Sequence, residues 1–180
     1  TPLYSSAASD VYKRQQQVFE RLINQELADG ETGAFLAWGD PALYDSTLRI
    51  LQQILASGAA SFEYEVIPGV TSVQALTARH KVPLNRIGRS VEITTGRRLA
   101  AGQAGSADSL VVMLDAEDSY RHLRNQGLDI YWGAYLGTAD EILISGPLDQ
   151  VADEIRRVRL QARQTHGWIM DTYLLRKPQD

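Results

Sequence analysis

Trp38-Gly39-Asp40-Pro41-Ala42-Leu43-Tyr44-Asp45-Ser46-Thr47-Leu48 and, further along, Pro68-Gly69-Val70-Thr71-Ser72 decide how this chain is read. Each follows an apolar run, at residues 34–38 and 64–67, and each precedes a helical pattern. Both therefore read as strand-turn-helix junctions, the place where α/β proteins bind ligands outside the carboxyl ends of their strands. A Gly-Asp-Pro turn lets the backbone come close to a ligand and holds a carboxylate beside it. Thr71 and Ser72 add hydroxyls and free amide donors at a helix N-terminus.

Working outward, the periodicity supports an α/β chain. Val18, Leu22, Ile23 and Leu27 fall on one helical stripe over residues 15–28, closed by Gly30. Residues 34–38 predict a short buried strand. Leu43, Leu48, Leu51, Ile54 and Leu55 predict an amphipathic helix ending at Gly58. Residues 62–67 alternate as a second strand, and a helix follows over 72–79. That order implies parallel strands with right-handed crossovers. The second half predicts strands at 92–95, 110–114, 130–136, 141–145 and 169–175, with helices at 119–126 and 148–164. Consecutive strands without intervening helices there imply a mixed sheet. The Gly/Ala/Ser-rich stretch at 99–108 is expected to be a mobile loop. Pro83, Asn85 and Gly88 interrupt the pattern, so the reading divides the chain into residues 15–86, part of a parallel α/β domain, and 87–180, a second, mixed-sheet α/β domain. Residues 1–14 have no sustained apolar stripe and read as a non-native leader outside the fold.

Composition excludes several classes. With 180 residues and 44% hydrophobic content the chain can bury a substantial core. A net charge of −4 gives no footprint for nucleic acid or an anionic membrane. There is no cysteine, hence no disulfide, thiolate metal site or cysteine nucleophile, which fits a cytoplasmic protein. No apolar run reaches the roughly 18 residues of a spanning helix. His80, His122 and His166 are scattered and predict no triad or metal site.

The two glycine junctions, in this order and spacing, resemble the tetrapyrrole methylase family of S-adenosylmethionine-dependent methyltransferases. The longer runs at residues 33–47 and 167–176 are similar to a cobalamin-pathway branch of that family, and the resemblance spans about residues 15–178. It implies two α/β domains around S-adenosylmethionine, a tetrapyrrole substrate and a homodimer when full length. The implied reaction is methylation of a ring carbon of precorrin-5 with release of acetate. Another member of the family (an uroporphyrinogen or other precorrin methyltransferase, or a diphthine synthase-like protein) and a non-catalytic fragment remain open. Family members begin with a strand and a Gly-rich loop that nothing before Gly39 matches, so the resemblance implies a chain lacking its first half-domain. The leader itself, at 5–15, resembles a translated sequencing adaptor.

Carried onto this sequence, the resemblance implies cofactor contacts at Gly39, Asp40, Leu43, Thr71 and Ser72, and at Met113 or Leu114 at the end of a strand. For Met113 a plain buried strand position is an equal reading. Arg97 and Arg98, which follow a strand end at Gly96, match a loop facing the substrate. Guanidinium groups suit the substrate's carboxylate arms through bidentate pairing. Tyr44 and Asp45, directly after the Gly-Asp-Pro turn, are the candidates to orient substrate or handle a proton, although Asp45 equally suits the cap of the helix at Ser46.

Overall fold

Strand β2 (Ser109–Met113) carries Leu110, Val111 and Val112 in succession, the pattern of a strand covered on both faces, and all three are buried. The computed structural model describes residues 4–178, with side chains of the first helix described from residue 11 onward. The chain forms two compact units, Thr1–Thr71 and Ser72–Asp180.

The second unit is built on one five-stranded sheet in the order β1-β2-β5-β3-β4. Its strands are β1 (Val91–Thr95), β2, β3 (Asp129–Ala134), β4 (Ile142–Pro147) and β5 (Asp171–Arg176). Only β1 and β2 are parallel; the other pairings are antiparallel. The mixed sheet expected from consecutive strands is thus present. β5 sits at its centre, buried along its whole length, whereas β4 at the edge is half-exposed.

Alternation sorts the side chains onto two faces. Leu110, Val112, Ile130, Trp132, Ala134, Tyr173 and Leu175 share one face with the buried stripe Leu148, Ala152, Ile155 and Ala162 of helix α5 (Leu148–His166). On the other face lies helix α3 (Ser72–His80), packed on β3 and β5 through buried Val73 and Leu76. Gly133 makes room there: a β-carbon at that position would stand 2.9 Å from a Leu76 methyl. A one-turn helix, α4 (Gly96–Ala100), follows β1 directly, so the segment expected as a loop at 99–108 begins as helix. A 3₁₀ turn at Ser119–Leu123 replaces the longer helix expected at 119–126.

The first unit is helical. Helix α1 (Tyr4–Arg21) continues as a π turn, Leu22–Glu26, and packs along α2 (Thr47–Ser57). The described part of the expected leader is therefore the start of α1, with Val11 and Tyr12 exposed and Tyr12 beneath the Arg49 guanidinium at 4.1 Å. Ile50, Leu51 and Ile54 form the buried stripe of α2, and Gly58, left-handed at φ 69°, returns its N–H to the carbonyls of Ile54 and Leu55. Residues 34–38 and 62–67 do not form the expected strands. Neither stretch is assigned to a strand, and Leu36 and Ile67 are 96% and 78% exposed. An apolar run becomes a strand only where a neighbour takes up its amides and carbonyls.

Candidate functional site

Within the first unit the two glycine loops meet directly. Asp40 Oδ1 accepts the N–H of Ala42 at 2.8 Å, and Oδ2 accepts the N–H of Gly69 at 2.9 Å across 29 residues of sequence. These two amides hold the carboxyl below the usual aspartate range, Gly69 contributing most. A β-carbon on Gly69 would run into the Gly39 carbonyl oxygen, and one on Gly39 would stand 3.5 Å from the Val70 carbonyl. Gly39 is left-handed at φ 88°. The loops therefore touch backbone to backbone, which only glycine permits.

The turn closes when Leu43 N–H reaches the Asp40 carbonyl at 3.3 Å. Tyr44 follows in the left-handed region at φ 53° and is 47% exposed. Such a backbone costs a tyrosine about 1–3 kcal/mol, a strain that concentrates at ligand sites. Asp45 Oδ1 accepts Thr47 N–H at 2.6 Å, an Asx turn leading into α2, whose N-cap is Ser46 and not Asp45. Thr71 ends this unit at the foot of the second loop.

In the second unit, the strand register collects the remaining candidates at one end of the sheet. Thr95 is paired with Met113, Met113 with Thr172, and Asp171 with Ala134. That end therefore carries Gly96-Arg97-Arg98 after β1, Leu114 after β2, and Thr172, whose hydroxyl donates to Ser72 Oγ at 3.2 Å. Arg97 and Arg98 are exposed, Met113 is half-buried, and Leu114 stands 61% exposed in the left-handed region at φ 53°. Gly96 has no room for a side chain because Asp115 lies against it, so the ends of β1 and β2 are drawn together.

Beneath this end lies a buried polar network that no sequence motif announced. Asp115 accepts from Tyr173 Oη at 2.7 Å, from Ser119 N–H at 2.7 Å and Oγ at 2.9 Å, and from Glu117 N–H at 3.0 Å. Arg159 of α5 donates Nε to Asp171 Oδ2 at 3.0 Å and Nη1 to Asp118 Oδ1 at 3.0 Å, while Nη2 reaches the Asp115 carbonyl. Trp132 Nε1 also donates to Asp171 Oδ2, at 2.9 Å. Burial opposes charge on Arg159, but the carboxylates of Asp171, Asp118 and Asp115 together outweigh it and the guanidinium is held protonated. Burial raises the Asp171 carboxyl, and the ion pair offsets this in part. Tyr173 is pushed well up by burial and by the Asp115 carboxylate. One signal could have found Arg159: it stands four residues after Ile155 and three before Ala162, on the apolar stripe of α5.

Of the histidines, His80 faces the Trp132 carbonyl at 3.0 Å and the edge of Tyr131, and burial lowers its pKa. Tyr135, left-handed at φ 49°, donates to the Trp168 carbonyl at 2.5 Å and packs edge-on to that indole.

The sequence profile of the Tetrapyrrole (Corrin/Porphyrin) Methylases matches residues 4–152. A precorrin-6A synthase [deacetylating] from Sinorhizobium sp is 50% identical over 177 residues, which cover 98% of this chain and 68% of that protein. Among solved structures, a cobalamin-synthesis-related protein (CobF) from Corynebacterium diphtheriae superposes with a TM-score of 0.85 at 38% identity, covering 92% of this chain and 70% of that one. A uroporphyrin-III C-methyltransferase from Thermus thermophilus, 24% identical over 92% of this chain and 73% of its own, shares the fold with a TM-score of 0.64. A fold of this topology, apposed glycine loops and a match over most of the sequence agree: the chain belongs to the tetrapyrrole methylase family.

Proposed function

We propose that this protein is an S-adenosylmethionine-dependent C-methyltransferase of cobalamin biosynthesis, acting as a precorrin-6A synthase that methylates precorrin-5 with release of acetate. The observation that carries the reading is the contact of Gly39 and Asp40 with Gly69, on a chain half identical to an enzyme of that name. Two loops that meet through backbone alone leave amides and carbonyls at the surface with no side chain in the way. That is a suitable wall for an adenosine and an amino-acid end. Gly39, Leu43 and Thr71 in the first unit, and Ser72, Met113 and Leu114 in the second, are the residues to which the family resemblance assigns contacts with those parts.

Asp40 acts through the loops: both of its oxygens are engaged by backbone amides, so its part is to lock them in register. When bound, S-adenosylmethionine supplies an electrophilic methyl group, and the chemistry of transfer is its own. The protein's contribution is alignment of the nucleophilic ring carbon and exclusion of water, effects that together are worth about 7–11 kcal/mol of barrier in well-oriented systems. Arg97 and Arg98, both exposed, would pair with the carboxylate arms of the tetrapyrrole. Tyr44 would orient the substrate with its strained backbone fixing the phenol, and Asp45 would support it by fixing the helix start.

The test is calorimetric titration with S-adenosylmethionine, followed by methyl transfer to precorrin-5 with acetate measured in the same samples. Methyl transfer and acetate release in equal amounts are expected. Methylation of uroporphyrinogen in preference to precorrin-5 would move the protein to another branch of the family. No binding of S-adenosylmethionine would remove the reading of the loops.

A further inference from the structure

The turn after β2, residues 114–118, is pinned from two sides, and its first residue is the exposed Leu114. On one side the Asp115 carboxylate gathers the Glu117 and Ser119 amides, the Ser119 hydroxyl and Tyr173 Oη. On the other, the Arg159 guanidinium takes the carbonyls of Asp115 and Ala116 and the Asp118 carboxylate while its Nε is anchored to Asp171 on β5. Asp171 is itself fixed by the Trp132 indole N–H. All of these anchors are buried, with Arg159 at 6%, Asp171 at 8% and Asp115 at 4% exposure. Two residues of the turn, Leu114 and Asp118, are left-handed at φ 53° and 57°; aspartate takes this backbone readily, but a leucine keeps it only when its surroundings impose it.

Four N–H donors in a fixed fork meet two carbonyls and two carboxylates at once. A lysine ammonium, a single point charge with three donors, cannot reproduce it. A pair serving stability alone would need only Asp171. The additional reach to both turn carbonyls points to a role in shaping the turn.

We infer that Arg159 is a positioning residue: anchored on Asp171, it sets the backbone of residues 114–118 so that Leu114 is presented at the sheet end that also carries Arg97, Arg98 and Ser72. The consequence for cofactor binding rests on the proposed function, whereas the pinning of the turn does not.

The experiment therefore has two arms. Amide hydrogen exchange of Arg159→Lys and of the milder Asp118→Asn, which leaves the Asp171 pair intact, reads the turn directly. Exchange at Glu117 and Ser119 should speed up roughly tenfold, the scale of losing one charge-assisted hydrogen bond, with the β5 amides unchanged. Titration of S-adenosylmethionine reads the consequence: Leu114→Ala and Arg159→Lys should each weaken binding, and the double variant should lose less than the sum, because both act through one contact. Turn exchange at the wild-type rate in both variants overturns the inference. So does strict additivity, or unchanged affinity with a loosened turn. If the wild-type protein takes up no S-adenosylmethionine, the proposed function falls and the exchange arm still decides the pinning.

Discussion

The two glycine loops of the first unit and the turn after β2 in the second are held in opposite ways. The loops meet through Gly39, Gly69 and one half-exposed carboxylate, with exposed residues around them: Trp38 is 71% exposed and Val70 70%. The turn is held by Arg159 from α5 and by Asp171 and Tyr173 from β5, all buried. The first arrangement depends on what is absent, a β-carbon, and the second on what is present, a charged fork and its partners. The difference sets how each should fail.

The largest loss should follow Asp171→Ala, which strands the Arg159 guanidinium and the Trp132 N–H without their shared acceptor. Breaking a buried ion pair from one side costs about 3–5 kcal/mol, to be read from the calorimetric melting of the protein. A drop under about 1 kcal/mol would show that the network is less tightly coupled than its geometry implies. Gly69→Ala should cost less, on the order of 1–3 kcal/mol, the range for overpacking, because the new methyl must displace the Gly39 carbonyl. Denaturant unfolding that leaves Gly69→Ala as stable as the parent would mean the loops separate freely.

Asp40→Ala should act mainly on ligand affinity and acid sensitivity. The carboxyl is held below its ordinary 3.8 by the amides of Gly69 and Ala42, so its contribution is complete above that pH and is lost as pH falls through the lower folded value. A titration of stability from pH 6 down to about 2 should show that acid limb in the parent and not in Asp40→Ala. The smallest effect belongs to His80. Burial lowers its pKa from 6.5, so the folded state favours the neutral ring; stability is full above 6.5 and declines as pH falls below it. His80→Gln should flatten that slope between pH 8 and 5, measured as melting temperature. An unchanged slope would assign it elsewhere.

How much could be read in advance follows the same division. Glycine-bearing turns are visible in one dimension, so Gly39 and Gly69 stand out in the sequence, whereas the contact between them appears only in the fold. Apolar runs such as Leu110-Val111-Val112, and the stripe of α2 with its Gly58 stop, were equally legible. Residues 34–38 and 62–67 were misjudged because composition reports the tendency to pair and not the partner. The start of α1 is hidden for a different reason: Ser, Ala and Tyr dominate residues 4–14, so no apolar stripe marks the helix there. Arg159 is masked in the sequence by Arg156, Arg157 and Arg163 beside it, which make the segment look like a solvated face. Only the period of the stripe separates it from them.

Strand β5 has a further consequence, which concerns the order of assembly. It lies between β2 and β3, yet all four other strands precede it in the chain. Until residues 171–176 emerge from the ribosome, β1 with β2 and β3 with β4 are two separate pairs, each too small to be stable alone. The inner edges of both pairs remain open meanwhile, offering unpaired amides and carbonyls to any passing strand. Closure then inserts one hexapeptide that completes two ladders at once and delivers Asp171 to Arg159 in the same step. Strand β5, made after the other four strands of this sheet, is the one that turns two hairpin-sized fragments into a single cooperative sheet, and a chain interrupted before it would carry four strands and none of the closure.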